Sequence, residues 1–137
     1  MGFRSFIHRI TAPQLIDEIP LNPVKLILII NNDLKMGKGK IAAQAGHASV
    51  SATLKTGKTK PIMLETWLKS GQKKVCLKAN HEVLLQLEEE AQKIGIQTVR
   101  INDAGKTQIP SGSLTVIAFG PDDEELLSKL TGHLKLL

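Results

Sequence analysis

Residues 24–55 read VKLILIINNDLKMGKGKIAAQAGHASVSATLK, and this stretch decides the fold class. Val24 to Ile30 is a nearly unbroken apolar run rich in β-branched residues, which suits a central strand buried on both faces. Asn31-Asn32-Asp33 ends it, and Gly37 and Gly39 fall in the loop that follows. From Lys40 to about Lys55 the alanine-rich stretch reads as a helix, with Ile41, Ala45, Ala48 and Ala52 on one face and Gly57 as its stop. Strand, glycine loop and helix in that order form the opening of an α/β unit.

The rest of the chain extends the pattern. Pro61 opens a second helix through Trp67 that ends before Gly71. Lys74 to Ala79 reads as a second strand. Asn80 caps a helix from about His81 to Ile94, whose buried face carries Val83, Leu87, Ala91 and Ile94, and Gly95 stops it. Gln97 to Ile101 and Leu114 to Phe119 read as strands three and four, joined by a polar loop too short for a crossover helix. Gly120-Pro121-Asp122 is a stop followed by a cap, and a last helix runs from about Asp123 to Leu130. A crossover helix implies parallel pairing, and a short connection implies an antiparallel pair. The expected architecture is therefore a three-layer α/β/α sandwich around a four-stranded mixed sheet.

Residues 1–22 stand apart, and the domain proper spans 23–137. Phe3, Phe6, Ile7 and Ile10 lie at helical spacing among Arg4, His8 and Arg9, and no acid precedes Asp17. A terminal arm is one reading, an organelle-targeting presequence another. A cytoplasmic protein with a possible mitochondrial association is the corresponding expectation.

Composition narrows the function. The 137 residues are 42% hydrophobic and 23% charged, which suits one globular domain with a core of its own. A single cysteine excludes an internal disulfide, and no apolar run reaches the length of a membrane span. Of the net charge of +5, residues 34–81 hold ten lysines against Glu65 alone, whereas residues 82–137 hold nine acids against five bases. Such asymmetry suits a polyanionic partner, although scattered solvated lysines would give the same count. With three Phe, one Trp and no Tyr, there are too few aromatic platforms to read single-stranded RNA by stacking. Contacts to nucleic acid would go mainly to phosphate and ribose.

Two segments concentrate polar chemistry. In KMGKGKIAAQAGH (35–47), Lys35, Lys38 and Lys40 surround a glycine loop at a helix N-terminus, where backbone N–H groups and the helix dipole favour an anion. Lys40, Gln44, His47 and Ser51 fall within about 60° of one another around that helix, as a stripe that begins at the loop. A solvated helix face would carry the same residues. In INDAGKTQIPSGS (101–113), Asp103, Lys106, Thr107 and Gln108 crowd the end of strand three, where an ordinary turn is the simpler reading. If strands one and three point the same way, Asp103 and Lys40 share a rim. A P-loop fails because Ile41 follows Gly39-Lys40. Gly37, Gly39 and Ala42 fit GxGxxA, but the acid about 20 residues on is missing. No HxxxH or HxxE spacing supports a metal, and no GxSxG elbow supports a serine nucleophile.

With both segments quoted, the chain resembles the type II peptidyl-tRNA hydrolases of archaea and eukaryotes. The resemblance runs from about Lys25 to Leu137. It rests on NDLKMGKGKIAAQAGHASVSA (32–52), DAGKTQIPSGS (103–113), and GP with TGHLKL (120–136). It implies cleavage of the ester between a peptide and the 3′ ribose of tRNA, with no metal or organic cofactor, and a homodimer. It assigns catalysis to Lys40, Asp103 and Thr107. Gln44, His47 and Thr115 match positions of the same site, while Lys35, Lys38, Ser51 and Lys106 complete the expected substrate contacts. Ala45-Gly46 and the C-terminal Leu137 depart from some relatives without touching this chemistry. A binding adaptor that keeps the fold without catalysis is the alternative.

Overall fold

The computed structural model describes residues 22–104 and 109–137. Five strands form one sheet in the order β3-β4-β1-β2-β5. They are β1 (Val24–Asn31), β2 (Lys74–Ala79), β3 (Thr98–Asn102), β4 (Leu114–Asp123) and β5 (Lys135–Leu136). The helices are α1 (Lys38–Thr59), α2 (Pro61–Lys69), α3 (His81–Lys93) and α4 (Glu124–Thr131). β1 pairs with β2 in parallel and with β4 antiparallel, and β3–β4 and β2–β5 are antiparallel. The mixed sandwich is as expected, with one more strand. The two-residue β5 closes the edge beyond β2 and is too short to show in hydrophobic patterning.

β1 is buried along its whole length, and its alternate side chains serve two cores. Leu26, Leu28 and Ile30, with Val116 and Ala118, pack under Ala48 and Ala52 of α1 and Leu64 and Trp67 of α2. Ile27 and Ile29, with Ile117 and Phe119, pack against Leu84, Leu87 and Ala91 of α3 and Leu127 and Leu130 of α4. The period of two along each strand thus sorts the apolar residues into two layers. Among the described residues, no helix is long and apolar enough to cross a membrane.

Three sequence expectations fail for physical reasons. α1 starts at Lys38, which places Gly39 inside it, and continues through Gly57 to Thr59. A glycine costs only about 1 kcal/mol against alanine in a helix. Gln97 holds the last turn by bonding to Thr56 and Thr59. β4 does not stop at Phe119. It runs to Asp123, and Gly120-Pro121, a cis peptide, coincides with the register shift between Lys25 and Ile27. A bulge interrupts the ladder, so a residue without an N–H fits there. Gly120 has φ +95°, and a Cβ on it would lie 2.6 Å from the Asp122 nitrogen. Finally, Ile94 is 50% exposed because α3 ends at Lys93, and Leu84 fills the core instead.

Asp123 caps α4 by accepting the Leu126 N–H at 3.0 Å. That bond holds its carboxyl below the ordinary value of 3.8. Asp123→Ala is expected to cost about 1 kcal/mol near neutral pH. Because the folded-state value is depressed, the stabilisation is present above the unfolded value and is lost as pH falls through the folded one. Urea melts of wild type and variant should therefore differ at pH 7 and converge below pH 3.8.

Candidate active site

Sheet order brings the two polar segments together. β4 runs antiparallel to both β1 and β3, so β1 and β3 point the same way and end on one rim. After β1, a 3-10 turn (Asn32–Leu34) and Lys35 in the left-handed conformation turn the chain towards α1, which Gly37 caps. Lys40 thus lies in the first turn of α1. Asp103 follows β3 and is fixed by its backbone: its N–H donates to the Ser113 carbonyl at 2.8 Å, and its carbonyl accepts from Gly112 at 2.9 Å. Lys40 Nζ lies 2.6 Å from Asp103 Oδ1, across 63 positions of sequence.

Asp103 is only 5% exposed. The Lys40 ammonium bonded to it supplies a counter-charge at that depth. The pair stands in a cleft of about 660 Å³, lined by Lys40, Ala43, Gln44 and His47 on α1 and by residues 100–104 along and beyond β3. Gln44 is buried, and its Oε1 lies 2.6 Å from the hydroxyl of Thr115, which is itself 3.0 Å from the Ile101 carbonyl. Thr115 is fully buried on β4, so it anchors Gln44 from beneath and does not line the cleft. Thr115→Val leaves the Gln44 amide without that partner. It is expected to cost about 1–3 kcal/mol in a denaturant melt, with much less cost in a Gln44→Ala background.

The remaining expected residues divide. His47 is exposed and faces the cleft. Ser51 is half-buried one turn further on, away from the cleft lining. Lys35 and Lys38 are exposed at the same end of α1 and make no ion pair among the described residues. Lys106 and Thr107 lie outside the described residues. Among the polar lining residues, the sequence reading missed Asn102 and Arg100. Two hydrogen bonds tie Arg100 to Glu88, one of them at 2.7 Å, and this contact raises its already high pKa.

The charge segregation read from sequence is reduced in part by folding. Lys40 pairs with Asp103, Lys60 with Asp122 at 2.7 Å and Lys73 with Glu124, each joining the basic segment to the acidic one. The GxGxxA spacing does not form a dinucleotide turn either. Gly39 and Ala42 are both inside α1, and a separate turn intervenes after β1.

The family described as "Peptidyl-tRNA hydrolase PTH2" matches residues 24–137, which is the whole sandwich. The chain belongs to the PTH2 peptidyl-tRNA hydrolase family. Its relatives agree in name. "Peptidyl-tRNA hydrolase" of Thermococcus onnurineus is 49% identical over 114 residues, covering 82% of this chain and 97% of the relative. The Methanocaldococcus jannaschii protein of the same name is 45% identical over 115 residues, 83% of this chain and all of the relative. The human "Peptidyl-tRNA hydrolase 2, mitochondrial" is 50% identical over 113 residues, 82% of this chain and 63% of that protein. The PTH2 match contains the Lys40–Asp103 pair and the whole described cleft lining.

Proposed function

We propose that this chain cleaves the ester between a peptide and the 3′ ribose of tRNA in the cleft at Lys40 and Asp103. The observation that carries this reading is the 2.6 Å contact between a lysine ammonium and a buried carboxylate inside a cleft. Ester hydrolysis needs an activated water and a stabilised oxyanion. Asp103 positions the water and takes its proton, with Thr107 holding that water in place. The water oxygen bonds to the ester carbon. The negative charge that develops on the carbonyl oxygen is met by Lys40, beside the N-terminus of α1. Collapse breaks the bond to the ribose oxygen, which takes the proton that Asp103 removed from the water, passed directly or through Lys40, and leaves as the tRNA 3′ hydroxyl; the peptide leaves as a carboxylic acid. Gln44, held by Thr115, and His47 orient the substrate. Lys35, Lys38, Ser51 and Lys106 bind the RNA side.

The proposal extends to the unit that works. Residues 23–137 are the hydrolase domain, residues 1–22 an arm outside it, and the chain acts as a homodimer in the cytoplasm, with a mitochondrial association as the alternative. Purified protein mixed with excess N-acetyl-aminoacyl-tRNA tests the activity. Many acetyl-amino acids released per enzyme are expected. Stoichiometric binding without release would instead identify a tRNA-binding adaptor.

A further inference from the structure

The cleft has an unusual second wall. β3 is the outermost strand of the sheet on its side, so one row of its backbone groups faces away from β4. The ladder identifies which. The Gly120 N–H donates to the Gln97 carbonyl at 2.9 Å, which makes Gln97 and Gly120 a hydrogen-bonded pair. Antiparallel pairs alternate between bonded and non-bonded. Val99 and Ile101, opposite Ala118 and Val116, therefore bond to β4, and Thr98 and Arg100 turn their N–H and C=O outwards. Beyond the register shift, Asp103 bonds back to Ser113, which leaves Asn102 facing outwards as well.

Lys55 supports this assignment directly. It reaches from α1 to donate to the Thr98 carbonyl at 3.1 Å, which only an outward carbonyl allows. At Thr98 the outward carbonyl is therefore taken, whereas the outward backbone groups of Arg100 and Asn102 have no hydrogen-bond partner among the described residues. Both residues line the cleft, and the open edge leads to Asp103.

We infer that the open edge of β3 binds the peptide part of the substrate as an added strand. This rests on the hydrolase reading and says how that substrate is held. Peptides on tRNA differ in every side chain and share only their backbone. Strand addition takes its affinity from backbone hydrogen bonds, so it is indifferent to sequence. The direction is also fixed. The esterified C-terminal residue must sit at Asp103, so the peptide runs parallel to β3 and extends back towards Lys55. From Asp103 to Thr98 is about 16 Å at 3.3 Å per residue, room for four or five residues. The Arg100 side chain, tied to Glu88, plays no part.

The test is the ratio of kcat/KM for a tetrapeptidyl-tRNA to that for N-acetyl-aminoacyl-tRNA. Each backbone bond is worth roughly threefold to tenfold, so the wild-type ratio should be about tenfold or more and should stop rising beyond about five residues. Arg100→Pro deletes the outward N–H without touching the ladder to β4, a position where edge strands tolerate proline. It should lower the ratio about threefold to tenfold, whereas Arg100→Ala, which keeps the N–H, should retain it. A tetrapeptide N-methylated at its edge-facing amides should lose the same factor on the wild-type enzyme, which keeps the test decisive if the proline variant does not fold. A wild-type ratio near one, or a ratio untouched by both Arg100→Pro and N-methylation, overturns strand addition and leaves the hydrolase standing. A dimer that Arg100→Pro converts to monomer with the ratio intact would assign the edge to a second copy, also overturning it. Turnover of neither substrate removes the hydrolase reading, and this one with it.

Discussion

Asp103→Asn is expected to lower kcat for N-acetyl-aminoacyl-tRNA by about a thousandfold, and Lys40→Ala by a similar factor. Groups aimed at developing charge in a cleft contribute on the order of a hundredfold to a thousandfold each, and general bases a comparable amount. The two side chains touch, so they act as a unit. The double variant should be scarcely slower than either single one. Removing Lys40 also leaves a buried carboxylate without its counter-charge, so each variant is to be compared by circular dichroism and thermal melting before its rate is interpreted. Lys40→Arg separates the two roles open to the lysine. An arginine keeps the positive charge but does not give up its proton. Activity well above that of Lys40→Ala would assign Lys40 to charge stabilisation, and equal inactivity would assign it to proton transfer to the ribose oxygen. A folded Asp103→Asn with unchanged kcat would end the scheme.

The second large effect is that of salt. If Lys35, Lys38 and one further lysine neutralise three phosphates, raising monovalent salt from 50 to 200 mM should lower kcat/KM by about twentyfold to fortyfold. The loss should lie in KM, since phosphate contacts position the substrate and are the same in ground and transition states. Lys35→Ala and Lys38→Ala should each reduce the salt slope by about one. These two are the informative choices because Lys60 and Lys73, equally basic in sequence, are spent on Asp122 and Glu124. A kcat/KM independent of salt would show that the lysines do not hold RNA.

The residues proposed to carry the chemistry were legible as candidates because they stand in local motifs. Lys40 follows a glycine loop and Asp103 follows a strand, and each signal is complete within a dozen residues. Helix and strand identity were legible for the same reason: the apolar run of β1 and the spacing of Ala48 and Ala52 are local patterns. Failures came where a distant partner outweighed a local preference. Gly57 stays helical because Gln97 holds the turn around it. Pro121 stays in a strand because the bulge opposite β1 needs no N–H there.

Sequence by itself therefore determined an α/β sandwich, two polar segments and the family. Tertiary structure alone decided that Lys40 and Asp103 meet at 2.6 Å, since this needs β4 to run antiparallel to both β1 and β3. It alone decided which three lysines of the basic segment pair with acids of the acidic one, because ion pairs depend on distance in space. It alone decided that β3 is an edge whose backbone borders the cleft. Strand order is set by which surfaces bury one another, and no single strand records its neighbours in its own residues.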